Sequence, residues 1–236
     1  LFNLCLRMSK QHQVILSLGT NQGNRLENIE RCIAAIHQEI ATVIIVSKLY
    51  ETTSWVFESE DFYNCALIVH SHKTAHKILD EVLLLEEALG RVRSDFQGYQ
   101  ARVIDIDVIS FDEEIIATEK LKLPHPEMQN RLFVLLPMRD LNLDWRHPIL
   151  QRYLHELLVL SEDKSNCKFV QNLENPIAKI KLSDFNYIAI EGNIGAGKTT
   201  LANKLAEDFN AKMVLERFAD NPFLPKFYED QNRYAF

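Results

Sequence analysis

Arg91, Arg93 and Arg102 precede Asp105 and Asp107 in the run Gly90-Arg-Val-Arg-Ser-Asp-Phe-Gln-Gly-Tyr-Gln-Ala-Arg-Val-Ile-Asp-Ile-Asp107. Side chains alternate faces along a strand, so Asp105 and Asp107 are expected on one face. Ile104, Ile106 and Val108 then point the other way, into a core. Two carboxylates this close repel unless a cation sits between them. Hard oxygen ligands beside arginines are the donor set of a magnesium–polyphosphate complex. By itself the alternation also fits an amphipathic strand with a solvated acidic face. The three arginines favour the phosphate reading.

A second phosphate signal lies near the end of the chain, in Gly192-x-x-x-x-Gly197-Lys198-Thr199. Of the seven glycines in the chain, Gly192, Gly195 and Gly197 fall within six residues. Backbone N–H groups of such a loop and the N-terminus of the helix after it cradle phosphates. Lys198 would reach the β and γ phosphates, and Thr199 would bind magnesium. The pattern needs a strand before the loop and a helix after it. Tyr187–Glu191 is a short apolar strand candidate, and Leu201, Leu205 and Phe209 continue at helical spacing.

The elements that position the first group can be read from periodicity. Gln13–Gly19 reads as a strand. Asn24 offers an N-cap to a helix whose apolar stripe is Leu26, Ile29, Ile33, Ile36 and Ile40. Thr42–Glu51 and Phe62–His70 read as strands. Thr74 can cap a second helix, with Ile78, Leu79, Val82, Leu85 and Leu89 on its buried side and Gly90 ending it. Val103–Phe111 is the carboxylate strand. This order, βαββαβ, is the ferredoxin-like split unit of an α+β fold. Asn130–Leu141 and Pro148–Leu160 read as further helices. Residues 9–160 are expected to form one domain, 161–185 a linker, and 186–236 the first part of a P-loop α/β domain.

With 236 residues, 47% of them hydrophobic, the chain can build its cores without disulfides or structural metal. A net charge of −7 argues against a general nucleic-acid or membrane surface, while leaving room for a local basic pocket. Cys5, Cys32, Cys65 and Cys167 form no CxxC pair and read as reduced thiols of a cytoplasmic protein. His70, His72 and His76 read as a solvated strand end and helix start, since no carboxylate or cysteine completes a metal site there.

From about Val14 to Leu160 the chain resembles 6-hydroxymethyl-7,8-dihydropterin pyrophosphokinases. The resemblance rests on Leu18-Gly-Thr-Asn21, Tyr50-Glu-Thr52, Asp61-Phe-Tyr-Asn64, Glu86 through Arg93, Arg102-Val-Ile-Asp-Ile-Asp107, and Pro124-His-Pro-Glu-Met-Gln-Asn-Arg131 with Phe133. It implies transfer of the β,γ-diphosphate of ATP to the pterin hydroxymethyl oxygen, with release of AMP, in folate biosynthesis. Asp105 and Asp107 would hold two magnesium ions. Arg91, Arg93 and Arg102 would bind phosphates, and Glu86, His125 and Arg131 would support ATP. Phe62 and Phe133 would sandwich the pterin, with Asn64 and the backbone near Thr52 pairing its polar edge. As residue types alone, Phe62 and Phe133 also fit a plain core, and His125 fits a turn. Two positions depart from the family pattern: Glu51-Thr-Thr-Ser54 stands where Arg-Thr-Pro-Pro is common, and Tyr99 where tryptophan is common.

The last 50 or so residues resemble deoxynucleoside kinases. The matching residues are Glu191-Gly-Asn-Ile-Gly-Ala-Gly-Lys-Thr-Thr200, Glu216-Arg-Phe, Asn221-Pro-Phe-Leu-Pro-Lys-Phe-Tyr-Glu-Asp230 and Arg233-Tyr-Ala-Phe236. Here Glu216 would accept the proton of the sugar 5′-hydroxyl, although Arg217 stands where the family has proline. This segment is expected to be the start of such a domain, with a deoxynucleoside as the substrate of a longer protein. The rival readings are a deoxynucleoside kinase as the main activity and a non-catalytic nucleotide-binding module.

Overall fold

The computed structural model describes residues 10–53, 60–91, 101–179, 188–190, 197–208 and 210–214. The chain divides into two compact units, Leu1–Ile180 and Lys181–Phe236.

The first unit is an α+β fold built on an antiparallel sheet. Its elements are β1 (His12–Thr20), α1 (Arg25–Ala35) with a π-helical turn at Ile36–Ile40, β2 (Thr42–Val46), β3 (Lys48–Thr52), β4 (Phe62–Ser71), α2 (Ala75–Ala88) and β5 (Asp105–Phe111). A small hairpin of β6 (Ile116–Ala117) and β7 (Lys122–Leu123) follows, then α3 (Leu132–Asp140), α4 (Leu154–Leu160) and β8 (Cys167–Asn172). The strand order is β5-β1-β4-β3-β8, with β2 also paired to β4. The two expected caps form: Asn24 accepts the N–H of Glu27 at 3.3 Å and Thr74 that of Lys77 at 3.4 Å. Gly90 closes α2 in the left-handed region, at φ +100°, where a side chain would be strained.

Each sheet face has its own apolar layer. Val14, Leu16, Leu18, Leu67, Val69, Ile106 and Val108 pack under Ile29, Ile33, Ile78 and Val82 of α1 and α2. On the opposite face, Ile15, Ala66, Ile68 and Ile109 pack under Val134, Leu135 and Met138 of α3, with Leu154 and Leu157 of α4 behind them. Each fully buried Leu, Ile or Val contributes about 1.5–3 kcal/mol relative to exposure, so these residues anchor the short helices. This second cover stops partway along the sheet. Ser17, Gly19, Asn64, Asp105 and Asp107 continue the same face and line an open cleft.

A β-bulge serves both layers. The β1–β5 register shifts between Ile15 and Leu16: Ile15 faces Ser110 and Leu16 faces Val108, which leaves Ile109 as the extra residue. Before the bulge Asp105 and Asp107 face the cleft; after it Phe111 joins the opposite core.

Several elements differ from the sequence expectation. Thr42–Glu51 is two strands, because Ser47 breaks the run: its hydroxyl accepts the Ala66 N–H at 2.8 Å in place of a ladder bond. The helix expected over 130–141 is a 3-10 turn at Met128–Asn130 followed by α3. That expected over 148–160 begins only at Leu154: Gln151 has φ +54°, and Tyr153 N–H bonds Glu156 Oε2 at 2.8 Å to start the helix. The segment expected as a linker carries β8, paired with β3 from Thr52↔Cys167 to Lys48↔Asn172. Asn175 Nδ2 then donates to Ile44 O at 2.6 Å, so the first unit continues past residue 160.

In the second unit, α5 (Lys198–Asp208) begins directly after Gly197, which has φ +78°. The apolar face expected along this helix includes Leu201, which is 49% exposed. Residues 188–190, expected within a strand, carry none. Gly192, Gly195 and Glu216 lie outside the described residues. Among the described residues no helix is long and apolar enough to cross a membrane.

Candidate functional site

The cleft has a volume of about 510 Å³ and a charged end and an aromatic end. Arg102, Asp105, Asp107, His125 and Arg131 line the first; Thr52, Phe62, Asn64 and Phe133 line the second. Strand register sets this layout. Gly19 of β1 faces Asn64 on one side and Asp105 on the other, and Ser17 faces Asp107. Phe62, opposite Thr52 on β3, extends the same row.

At the charged end, Asp105 is bracketed by arginines. Arg91 Nη1 lies 2.5 Å from its Oδ1, and Arg102 Nη1 bonds its Oδ2. Arg131 Nη1 is 3.9 Å from Asp107 Oδ2. The backbone of Arg102 is fixed separately: its N–H donates to Asn21 Oδ1 at 2.7 Å, and Asn21 N–H returns a bond to Arg102 O at 3.1 Å. Behind the pair sits Glu86, 1% exposed, which accepts the Ile106 N–H at 2.7 Å and bonds Arg91. Glu86 therefore stands behind the carboxylate strand and does not line the cleft.

Burial pushes the Asp107 carboxyl up to about 6, with the charge of Asp105 adding to it and Arg131, Arg102 and Arg91 opposing it. The His125 imidazolium is disfavoured by burial and then by Arg131, so its pKa lies below the usual histidine range. Its Nδ1 accepts the Glu127 N–H at 3.2 Å, which places the proton of the neutral ring on Nε2.

At the aromatic end, the Asn64 side chain is held from two sides. Its Nδ2 donates to Thr52 Oγ1 at 2.8 Å, and its Oδ1 sits where a Cβ on Gly19 would come within 3.2 Å. A side chain at position 19 would crowd the amide, which would have to yield by a few tenths of an ångström. The rings of Phe62 and Phe133 line the same cavity, and Arg131 Cζ lies 5.8 Å from the Phe133 ring centroid.

Eleven of the sequence-expected site residues are thus brought together: nine line the cleft, Arg91 bonds Asp105 at its wall, and Glu86 backs it. Arg93 lies outside the described residues, and Gly197, Lys198 and Thr199 belong to the second unit. Sequence reasoning assigned no role to Ser17, Gly19, Asn21, Asp163 and Ser165. Asn21 stands in Leu18-Gly-Thr-Asn21 and could have been found there; Asp163 carries no local signal. A separate group, His12, Asp112 and Glu114, has ligand atoms within 4.8 Å of one another, but Lys10 Nζ already holds Asp112 Oδ2 at 2.9 Å.

The family model described as 7,8-dihydro-6-hydroxymethylpterin-pyrophosphokinase matches residues 15–143, and the deoxynucleoside kinase model matches residues 188–236. The chain is 36% identical over 128 residues to the 2-amino-4-hydroxy-6-hydroxymethyldihydropteridine pyrophosphokinase of Bacillus subtilis, covering 53% of this chain and 75% of that protein. To the same-named enzyme of Aquifex aeolicus it is 31% identical over 144 residues, covering 61% of this chain and 88% of the other. It is also 36% identical over 138 residues to the folic acid synthesis protein FOL1 of Dictyostelium discoideum. That match covers 58% of this chain and spans only 20% of the FOL1 protein. Among solved structures, a variant of Plasmodium falciparum HPPK-DHPS with STZ-DHP shares the fold, with a TM-score of 0.53 at 15% identity over 65% of this chain and 46% of that one.

Proposed function

The chain belongs to the 7,8-dihydro-6-hydroxymethylpterin-pyrophosphokinase family, and from that membership we propose that its first unit transfers diphosphate from ATP to 6-hydroxymethyl-7,8-dihydropterin, a step of folate biosynthesis. One observation carries the reading: a single cleft joins the Asp105–Asp107 pair and its arginines to Phe62, Phe133 and the clamped Asn64. The pterin ring stacks between Phe62 and Phe133, and Asn64 pairs its amide-like edge, because a buried polar edge must be hydrogen-bonded. The hydroxymethyl oxygen attacks the β phosphorus of ATP and loses its proton. The bond from that phosphorus to the α-phosphate oxygen breaks, and AMP leaves.

Arg91 and Arg102 neutralise the oxygens of the transferring group. Arg131 and the Nε2–H of His125 hold the nucleotide phosphates; Glu86 aligns Arg91. Arg93 belongs to the same set. The donor set at Asp105 and Asp107 fits divalent cations. Both are hard carboxylates on one face of β5, and Arg102 and Arg91 already bring positive charge to Asp105. Two magnesium ions bound there would supply charge neutralisation and a template for in-line transfer. Asp105 is bonded by Arg91 and Arg102. Phosphates that took up those arginines would free its oxygens for a cation.

The second unit supports a further reading, the start of a deoxynucleoside kinase domain with Gly192, Gly195, Gly197 and Lys198 on phosphate, Thr199 on magnesium and Glu216 as base. The observation favouring it is the match over residues 188–236. One assay tests both: product from ATP with hydroxymethyldihydropterin or deoxyadenosine as acceptor. Pterin-dependent AMP supports the first reading and its absence sinks it; deoxyadenosine-dependent ADP supports the second.

A further inference from the structure

Two side chains of the cleft wall, Asp163 and Ser165, lie beyond the family-matched residues 15–143. Asp163 uses both carboxylate oxygens: Oδ2 accepts the Leu132 N–H at 2.7 Å and Oδ1 accepts the Ser165 N–H at 2.8 Å. Leu132 is the first residue of α3 and stands between Arg131 and Phe133, both in the cleft. The N-cap of α3, Arg131, makes no side-chain cap bond. The first N–H groups of a helix lack intrahelical partners and form the positive end of its dipole, so a carboxylate there makes a charge-assisted bond.

The segment around Asp163 is anchored at both ends. Upstream, α4 buries Leu154 and Leu157 in the layer that holds α3. Downstream, Cys167 pairs with Thr52, whose hydroxyl holds Asn64. The segment thus runs from the α3–α4 layer to the strand bearing the other wall of the aromatic end, and Asp163 is its hydrogen bond to α3.

We propose that Asp163 is a positioning residue that holds the first turn of α3, and with it Phe133 and Arg131, at the separation from Phe62 and Asn64 that a flat heterocycle requires. The proposal rests on the pyrophosphokinase reading of the cleft. It assigns residues 161–167, which follow the family-matched span, to the wall of the site.

The test compares the full 236-residue chain with Asp163→Ala and Asp163→Asn. Three quantities are measured: steady-state AMP formation, the Kd of 6-hydroxymethyl-7,8-dihydropterin in the presence of a nonhydrolysable ATP analogue, and amide hydrogen exchange at Leu132. Asp163→Ala should raise KM and Kd for the pterin about tenfold, the size expected for one charge-assisted hydrogen bond, with kcat changed less than about threefold. Exchange at Leu132 should quicken by a similar factor. Asp163→Asn keeps one acceptor oxygen and should give an intermediate rise of about threefold. Unchanged KM, Kd and Leu132 exchange would overturn the proposal. So would a fall in kcat alone, which is the mark of a reduced folded fraction. If Asp163→Ala does not fold, the same comparison with Asp163→Asn decides. A wild-type chain that forms no AMP refutes the pyrophosphokinase reading instead, and the pterin Kd and Leu132 exchange still judge Asp163.

Discussion

Arg91 Nη1 sits 2.5 Å from Asp105 Oδ1 and bonds Glu86 with the same nitrogen. One guanidinium thus ties the end of α2 to the carboxylate strand. Replacing Asp105 or Asp107 by alanine should remove most pyrophosphoryl transfer, by about a hundredfold or more, because in the proposed reaction the two groups would hold the cations that neutralise the developing charge. Near-normal AMP formation with magnesium in either variant, with an unaltered circular dichroism spectrum, would contradict the two-carboxylate assignment.

Glu86 should matter through Arg91 and the Ile106 N–H, without touching substrate. Glu86→Ala leaves a buried N–H unpaired and one arginine partner missing, a loss of about 1–3 kcal/mol. Urea unfolding should show that loss as a lower midpoint, and kcat should fall with it. Glu86→Gln, which retains an acceptor for Ile106, should recover most of the stability and less of the rate. Equal recovery of both would mean that Glu86 acts on the fold alone.

Thr52→Val removes the hydroxyl that holds Asn64 Nδ2 at 2.8 Å while keeping the side-chain shape. The freed amide should then sample other rotamers, costing about 1 kcal/mol in pterin affinity, or about fivefold in KM. The KM for ATP should move little. An effect on ATP equal to that on the pterin would argue against separate ends of the cleft.

Asp112, just past the carboxylate strand, contributes to acid stability. Burial raises the Asp112 carboxyl, but hydrogen bonds from Lys10, His12 and the Gln13 N–H outweigh it and hold the group at about 2. A depressed folded-state pKa stabilises above the unfolded value near 4 and is lost as pH falls through the folded one. Stability should therefore decline between about pH 4 and pH 2 by about 2 kcal/mol from this group. Asp112→Asn should flatten that part of the profile in urea titrations at successive pH values; an unchanged slope would remove Asp112 as its cause.

What could be read in advance followed from local physics. The alternation in Asp105-Ile-Asp107-Val108 places carboxylates and core on opposite faces, and the structure has them so. Asn24 and Thr74 cap the helices their side-chain chemistry suits. What escaped depends on partners distant in sequence. Ser47 breaks a strand because its hydroxyl meets Ala66 on another one. Asp163 caps a helix that begins 31 residues earlier, which no local pattern announces. β8 lacks clean alternation because, as an edge strand, it buries little, so its pairing with β3 left no periodic trace in the residues taken for a linker.

The bulge at Ile109 makes β5 a strand with a phase slip. Its first half is set to the cleft and its second half to the opposite core, and the single extra residue reconciles them. Substitutions along this strand alter one contact each, but an insertion or deletion changes the phase of every residue between it and the nearest end. Removing Ile109 itself would abolish the bulge and restore plain alternation, with Asp105 and Asp107 still toward the cleft and Val108 and Phe111 still toward the layer under α1 and α2. Removing a paired residue such as Ile106 instead turns part of the strand to the wrong face. Length variation in this family should therefore gather in the turns flanking β5 and avoid the strand itself. In a deletion scan from residue 105 to 111, removal of Ile109 should be the least damaging and removal of any other residue should lose soluble, active protein, whereas removals within Glu113–Glu114 should be tolerated.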